Sequence, residues 1–212
     1  MIHLTVIAKA PEAGRTKTRL CPPCSPHQAA AVAAAALADT LHAVDRVVDD
    51  RRWSGAVRRV VLLDGPRGEW VPDHYDVVAQ RGNGLAARLA NGYADLGPGV
   101  IVGMDTPAGV QWLGDALRTV SAGGDVIGLA SDGGYWVIGL AEPDPAVFDG
   151  IVMSESHTGV SQLRRLHQLG RSVRLLPMER DLDDVEDLRA HARAGVPGRL
   201  AAVARSIVAQ LG

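Results

Sequence analysis

Gly99-Val100-Ile101-Val102-Gly103-Met104-Asp105-Thr106-Pro107 is the stretch whose reading decides the fold. Three consecutive β-branched residues between glycines read as a strand buried on both faces, the pattern of a parallel sheet's interior. The run then stops at a single carboxylate, which places the charge of Asp105 at the carboxyl edge of the sheet. In open α/β sheets that edge is where ligands bind. Asp followed by Thr-Pro is also a helix-start signal, so an N-cap role for Asp105 stands beside the ligand role.

The chain before this stretch supplies a second sheet-edge feature. Residues 2–8 form a strand that runs into Lys9-Ala10-Pro11-Glu12-Ala13-Gly14-Arg15-Thr16-Lys17-Thr18-Arg19-Leu20. Lys9, Arg15, Lys17 and Arg19 share this loop with the flexible Gly14, where α/β proteins hold phosphates on backbone N–H groups and cations. The loop is neither a Walker A sequence nor G-x-G-x-x-G. A solvated basic loop is the plain alternative. Ser25 caps and Pro26 opens an alanine-rich helix over 29–44, and strands follow at 57–63 and 75–79. Trp53, between helix and strand, reads as a core plug. Gly82-Asn83-Gly84 then opens a helix over 85–93. Gly84 there either lets a nucleotide approach the backbone closely or makes only a turn.

Beyond Asp105, a helix over 110–121 leads to a buried strand over 125–130 and to Ser131-Asp132-Gly133-Gly134-Tyr135. Asp132 is a second acid at a strand end, on the same edge as Asp105. The glycines after it permit a ligand against the main chain or an Asp-Gly hairpin turn. A polar loop with Glu155 spans 153–158, a helix ending at Gly170 spans 159–169, and the last strand spans 173–176. Past it, Asp181-Leu182-Asp183-Asp184-Val185-Glu186-Asp187 reads as a helix N-terminus enriched in acids. Asp181 and Asp183 precede the helix proper, which leaves them available to the same cleft.

Composition sets the outer limits. With 212 residues, 47% hydrophobic content and no repeat or linker, residues 1–212 read as one domain with a sizeable core. A net charge of −2 argues against nucleic-acid or membrane-surface partners. The absence of a signal-like N-terminus or a long apolar run leads to the expectation of a cytoplasmic protein. Cys21 and Cys24 form a C-x-x-C with two prolines between them, and read as incidental thiols more than as a redox or zinc motif.

Taken together, KAPEAGRTKTRL (9–20), GMDTP (103–107), DGGYWVIGL (132–140) and DLDDVEDL (181–188) resemble, in order and spacing, the small bacterial GT-A-type glycosyltransferases of the arsenosugar-biosynthesis kind, in the nucleotide-diphospho-sugar transferase superfamily. The resemblance spans residues 2–190. It implies an α/β fold: a single-domain, three-layer α/β/α sandwich around a mostly parallel sheet. It also implies that Lys9, Gly14, Arg15, Lys17 and Arg19 hold nucleotide phosphates, and that Asp105 and Asp183 bind a divalent metal, Mg²⁺ or Mn²⁺. Asp105 and Asp132 are the candidate catalytic acids, with Asp132 or Glu155 able to serve as base for an acceptor hydroxyl in a glycosyl transfer, and Gly133, Gly134, Tyr135 and Glu155 are the candidate acceptor-side residues. Met104, Ser131 and the 153–156 loop depart from the family's usual residues, which points to a different acceptor. The expected activity is metal-dependent glycosyl transfer from a nucleotide-diphospho-sugar to a small molecule. The alternative is nucleotidyl transfer, guanylyltransferase-like, from an NTP to a phosphorylated metabolite with release of pyrophosphate. A nucleotide-binding module without turnover is the third reading.

Overall fold

The computed structural model describes residues 1–53, 55–106, 109–194 and 197–211. Pro107, which closes the deciding stretch in sequence, lies outside them. Seven strands form one sheet: β1 (Ile2–Lys9), β2 (Val57–Asp64), β3 (Asp76–Ala79), β4 (Gly99–Gly103), β5 (Asp125–Ala130), β6 (Tyr135–Leu140) and β7 (Val173–Glu179). Their order is β3-β2-β1-β4-β6-β5-β7, and all run parallel except β6, which is antiparallel to both neighbours. The mostly parallel sheet expected from the sequence is therefore present. Because β6 alone runs backwards, the turn between β5 and β6 emerges at the same edge as the carboxyl ends of β1, β4, β5 and β7.

The helices are α1 (Pro26–Val48), α2 (Gly84–Leu96), α3 (Leu113–Ser121), α4 (Thr158–Gln168), α5 (Val185–Arg193) and α6 (Arg199–Leu211). They cover both faces of the sheet, and β4 shows why. Val100 and Val102 enter the cluster built by Leu37, Leu41 and Val44 of α1 and Leu113, Leu117 and Val120 of α3. Ile101, between them, joins Leu89 and Tyr93 of α2 and Leu166 of α4 on the opposite face. Alternation along the strand thus feeds two cores at once. Trp53 is the expected plug, 9% exposed in the first of these clusters.

Helix α1 starts where the sequence places it. The Ser25 hydroxyl accepts from Gln28 N at 3.2 Å, and Ser25 N donates to Gln28 Oε1 at 2.8 Å. This reciprocal pair satisfies two orphan N–H groups of the first turn. The helix runs four residues further than expected, to Val48. Strand β7 also outruns its expected end at Leu176, continuing through Pro177 to Glu179. It pairs only with β5, so it is an edge strand, where a missing N–H is tolerated. Helix α6 was not anticipated. Leu200, Ala204 and Ile207 pack it against Val32 and Ala36 on the outer side of α1, with Leu20, Leu182 and Leu188.

Candidate functional site

A cleft of about 620 Å³ opens along the sheet edge. It is lined by Lys9, Arg15, Lys17 and Arg19 from the loop after β1, Asp105 after β4, Asp132 and Gly134 from the β5–β6 turn, and Asp181 and Asp183 after β7. Four chain segments far apart in sequence therefore deliver their charges to one place. Tyr135, Met153, Ser154 and Thr158 form another part of the wall. Gly14, Gly84, Gly133 and Glu155 are not among the lining residues. Gly14 and Gly84 have φ of +79° and +80° and serve the turns beside the cleft. Glu155 is engaged through its main chain, its N–H donating to Thr158 Oγ1 at 3.0 Å.

Each acid is held by its own local structure. Asp132 sits in the hairpin turn, where Oδ1 accepts from Gly134 N at 2.7 Å, and it lines the cleft from there. Gly133, with φ of +93°, lets this turn dock on the loop before α4: a Cβ there would lie 1.9 Å from the Ser156 carbonyl oxygen. Asp181 and Asp183 flank Leu182 just before α5: Leu182 is buried in the core, and both acids line the cleft. Leu182 N donates to Asp105 O at 2.9 Å, which ties this segment to the end of β4. Asp187 Oδ2 accepts from Asp183 N and Asp184 N at 2.9 and 3.0 Å, and Asp184 caps α5 in return. The acid run is thus a helix N-terminus and a cleft wall together.

The charges meet around Lys17. Its side chain is 6% exposed, and Nζ lies 2.9 Å from Asp105 Oδ1 and 3.6 Å from Asp183 Oδ1. Nζ also donates to the Leu182 carbonyl. The Asp105 contact lacks hydrogen-bond geometry, so among the described residues the buried Oδ1 has an ion pair but no hydrogen-bond donor. Arg19 Nη1 holds Asp183 Oδ2 at 2.7 Å, and Arg15 pairs with Glu12 at 2.6 Å. Lys17 and Arg19 therefore face acids here, and Lys9 is exposed on the cleft wall.

Asp132, Asp181 and Asp183 each offer an oxygen within 4.8 Å of the other two. Burial, then Asp132 and Asp183, push the Asp181 carboxyl up to about 6, against the opposing pull of Lys17. Three carboxylates crowded in this way could hold a metal ion. With Asp105, four acids line the cleft, and Lys17 and Arg19 pair with Asp105 and Asp183 among them. An all-carboxylate oxygen set suits Mg²⁺ or Mn²⁺. Asp183 belongs both to this triad and to the pair it forms with Asp105 around Lys17. Asp181 and Asp183, the two acids ahead of the helix in sequence, both line the cleft.

No helix among the described residues is long and apolar enough to cross a membrane. Comparison with solved structures finds the same fold in proteins of low identity. A protein of Desulfovibrio desulfuricans G20 described as a "putative nucleotide-diphospho-sugar transferase" superposes with a TM-score of 0.82 at 22% identity, over 99% of this chain and 96% of that one. Rv0371c of Mycobacterium tuberculosis H37Rv, in complex with manganese, matches with a TM-score of 0.51 at 22% identity, over 89% and 97%. CMP:2-keto-3-deoxy-manno-octonic acid synthetase complexed with CTP matches with 0.52 at 11%, over 90% and 96%. No curated protein matches the chain in sequence. The family model described as "Uncharacterized protein conserved in bacteria (DUF2064)" matches residues 28–155, more than half of the chain, and the protein belongs to that family.

Proposed function

We propose that the protein is a metal-dependent glycosyltransferase that takes a nucleotide-diphospho-sugar as donor and a small molecule as acceptor. The observation that carries this reading is the convergence of Asp105, Asp132, Asp181 and Asp183 opposite a basic loop in one cleft. Support comes from the fold shared with the Desulfovibrio protein, and from the manganese bound by the mycobacterial one. Asp183 would hold the metal, with Asp105 on one side and Asp132 and Asp181 on the other. Bound there, a divalent ion neutralises diphosphate charge and stabilises it as a leaving group.

The chain's own residues supply the rest. Arg15 and Lys9, which line the same cleft, would donate charge-assisted hydrogen bonds to phosphate oxygens. Gly84 starts α2 at the cleft's rim, where the absence of a side chain lets a nucleotide lie against the backbone. Asp132 lies in the β5–β6 turn that leads to Tyr135 on the cleft wall, and a deprotonated Asp132 can accept the acceptor's hydroxyl proton. Gly134 and Tyr135 line that wall, and Gly133 and Glu155 stand outside it.

The second reading, nucleotidyl transfer, is favoured by the fold shared with a synthetase that carries CTP. The two are separated by one assay. Purified protein with Mn²⁺ or Mg²⁺ is offered a panel of nucleotide-sugars and, separately, of nucleoside triphosphates. Release of nucleoside diphosphate from a nucleotide-sugar supports glycosyl transfer. Pyrophosphate released from a triphosphate in the presence of a phosphorylated acceptor supports the alternative, and binding without either product refutes both.

A further inference from the structure

Lys17 raises a question that its membership of a phosphate loop does not answer. Its ammonium group is buried and spent on acids: Asp105 Oδ1 at 2.9 Å, Asp183 Oδ1 at 3.6 Å and the Leu182 carbonyl. Asp183 is also one of the three acids whose oxygens could hold a metal ion, and Asp105 shares the ammonium with it. The contact with Asp105 is an ion pair without hydrogen-bond geometry, so the acid is balanced by charge and not by a fitted donor. The backbone of Lys17 is also in the left-handed region, with φ of 49° and ψ of 38°. A non-glycine residue persists there only when its surroundings hold it, and such strain is released when the partners change. Lysine is suited to moving, because its charge rides on a flexible four-carbon stem.

We propose that Lys17 is a tethered cation that occupies the Asp105–Asp183 pair until a metal–diphosphate complex arrives, then yields the acids to the metal and takes a phosphate oxygen in their place. This rests on the metal-dependent reading given above and adds an order of events to it. An ammonium and a dication held at the same carboxylates repel one another, so metal alone meets a competitor that is part of the chain. Metal with diphosphate does not, because the phosphates give the displaced ammonium a new anionic partner. The same exchange preserves charge balance: the acids trade one ammonium for a dication, and the ammonium pairs with the ligand that accompanies it. The pair would thus admit the metal together with the diphosphate in preference to the metal alone.

The test measures Mn²⁺ binding by electron paramagnetic resonance, with and without inorganic pyrophosphate, and corrects for the metal that pyrophosphate binds in solution. If the ammonium occupies the acids in all but about a tenth of molecules, apparent Mn²⁺ affinity is about tenfold below its intrinsic value. Wild type should bind Mn²⁺ weakly alone and much more tightly with pyrophosphate. Lys17→Met should bind Mn²⁺ alone about tenfold more tightly, and pyrophosphate should enhance that binding far less than in wild type. Lys17→Gln, which keeps a polar end against Asp105, guards against a misfolded Met variant and should move the same way. Unchanged or weaker Mn²⁺ binding in folded Lys17 variants overturns the proposal, and makes Lys17 a residue that merely positions the acids. If wild type fails to bind Mn²⁺ even with pyrophosphate, the metal-dependent reading itself falls.

Discussion

Leu182→Ala couples the core to the cleft, because one buried side chain separates the two acids that point outward. Leu182 is fully buried against Leu20, Val32, Leu188, Leu200 and Ile207, its N–H is bonded to Asp105 O at 2.9 Å, and its carbonyl accepts from Lys17. Truncation removes three carbons from a packed site and leaves a cavity, so the expected loss is about 2–5 kcal/mol. For a chain of this length that lowers Tm by roughly 5–15 °C. The more telling expectation is functional: with the anchor gone, Asp181 and Asp183 lose their fixed separation from Asp132, and Mn²⁺ affinity should fall at least tenfold. Leu140→Ala is the control. Leu140 is equally buried but lies in the cluster on the other face of the sheet, so it should lose similar stability and keep its Mn²⁺ affinity. Thermal unfolding by circular dichroism gives the first quantity and Mn²⁺ titration the second. If the two variants lose metal affinity equally, or Leu182→Ala loses none, the leucine does not set the acids and the argument fails.

Three further expectations follow from the same geometry. Gly133→Ala should destabilise the protein and impair metal binding, since its Cβ would sit 1.9 Å from the Ser156 carbonyl oxygen at a φ of +93°; a crystal structure with the hairpin unmoved would contradict this. Asp39 on α1 accepts from Arg199 N at 3.0 Å and Leu200 N at 2.9 Å, capping α6 across the fold. Asp39→Ala should therefore cost about 1 kcal/mol in urea unfolding, with little effect on nucleotide binding. His3 is buried, donates from Nε2 to Gly97 O at 3.1 Å, and lies 2.8 Å from Thr5 Oγ1 through Nδ1. Burial pulls its pKa down from 6.5 to about 4. The unfolded chain then binds the proton first, so stability is complete above pH 6.5 and declines as the pH falls toward 4, by about 3 kcal/mol in all. His3→Gln should flatten that pH dependence by about one proton, and an unchanged slope in the variant would show that other groups set it.

What the sequence determined by itself is local. Three β-branched residues between glycines make β4, and their alternation feeds two cores whatever lies beyond them. Ser25-Pro26 with Gln28 starts α1 because a cap and its partner are three residues apart. Strand ends that stop at Lys9, Asp105 and Asp132 mark one edge, since parallel strands share a direction. The four ordered motifs add the family likeness. Tertiary structure alone decided which charges meet. The 3.6 Å between Lys17 and Asp183 spans 166 positions of sequence, and no pattern in either segment reports that an ammonium from the first loop lies between acids from β4 and β7. Asp181 joins Asp132 only because Leu182 is drawn into a core built with α6, a helix whose burial face is fixed by α1 and whose cap comes from Asp39. Backbone preferences and periodicity act over a few residues, whereas the field at a carboxylate is set by whatever the fold brings within a few ångströms, and that is written in the packing of the whole chain.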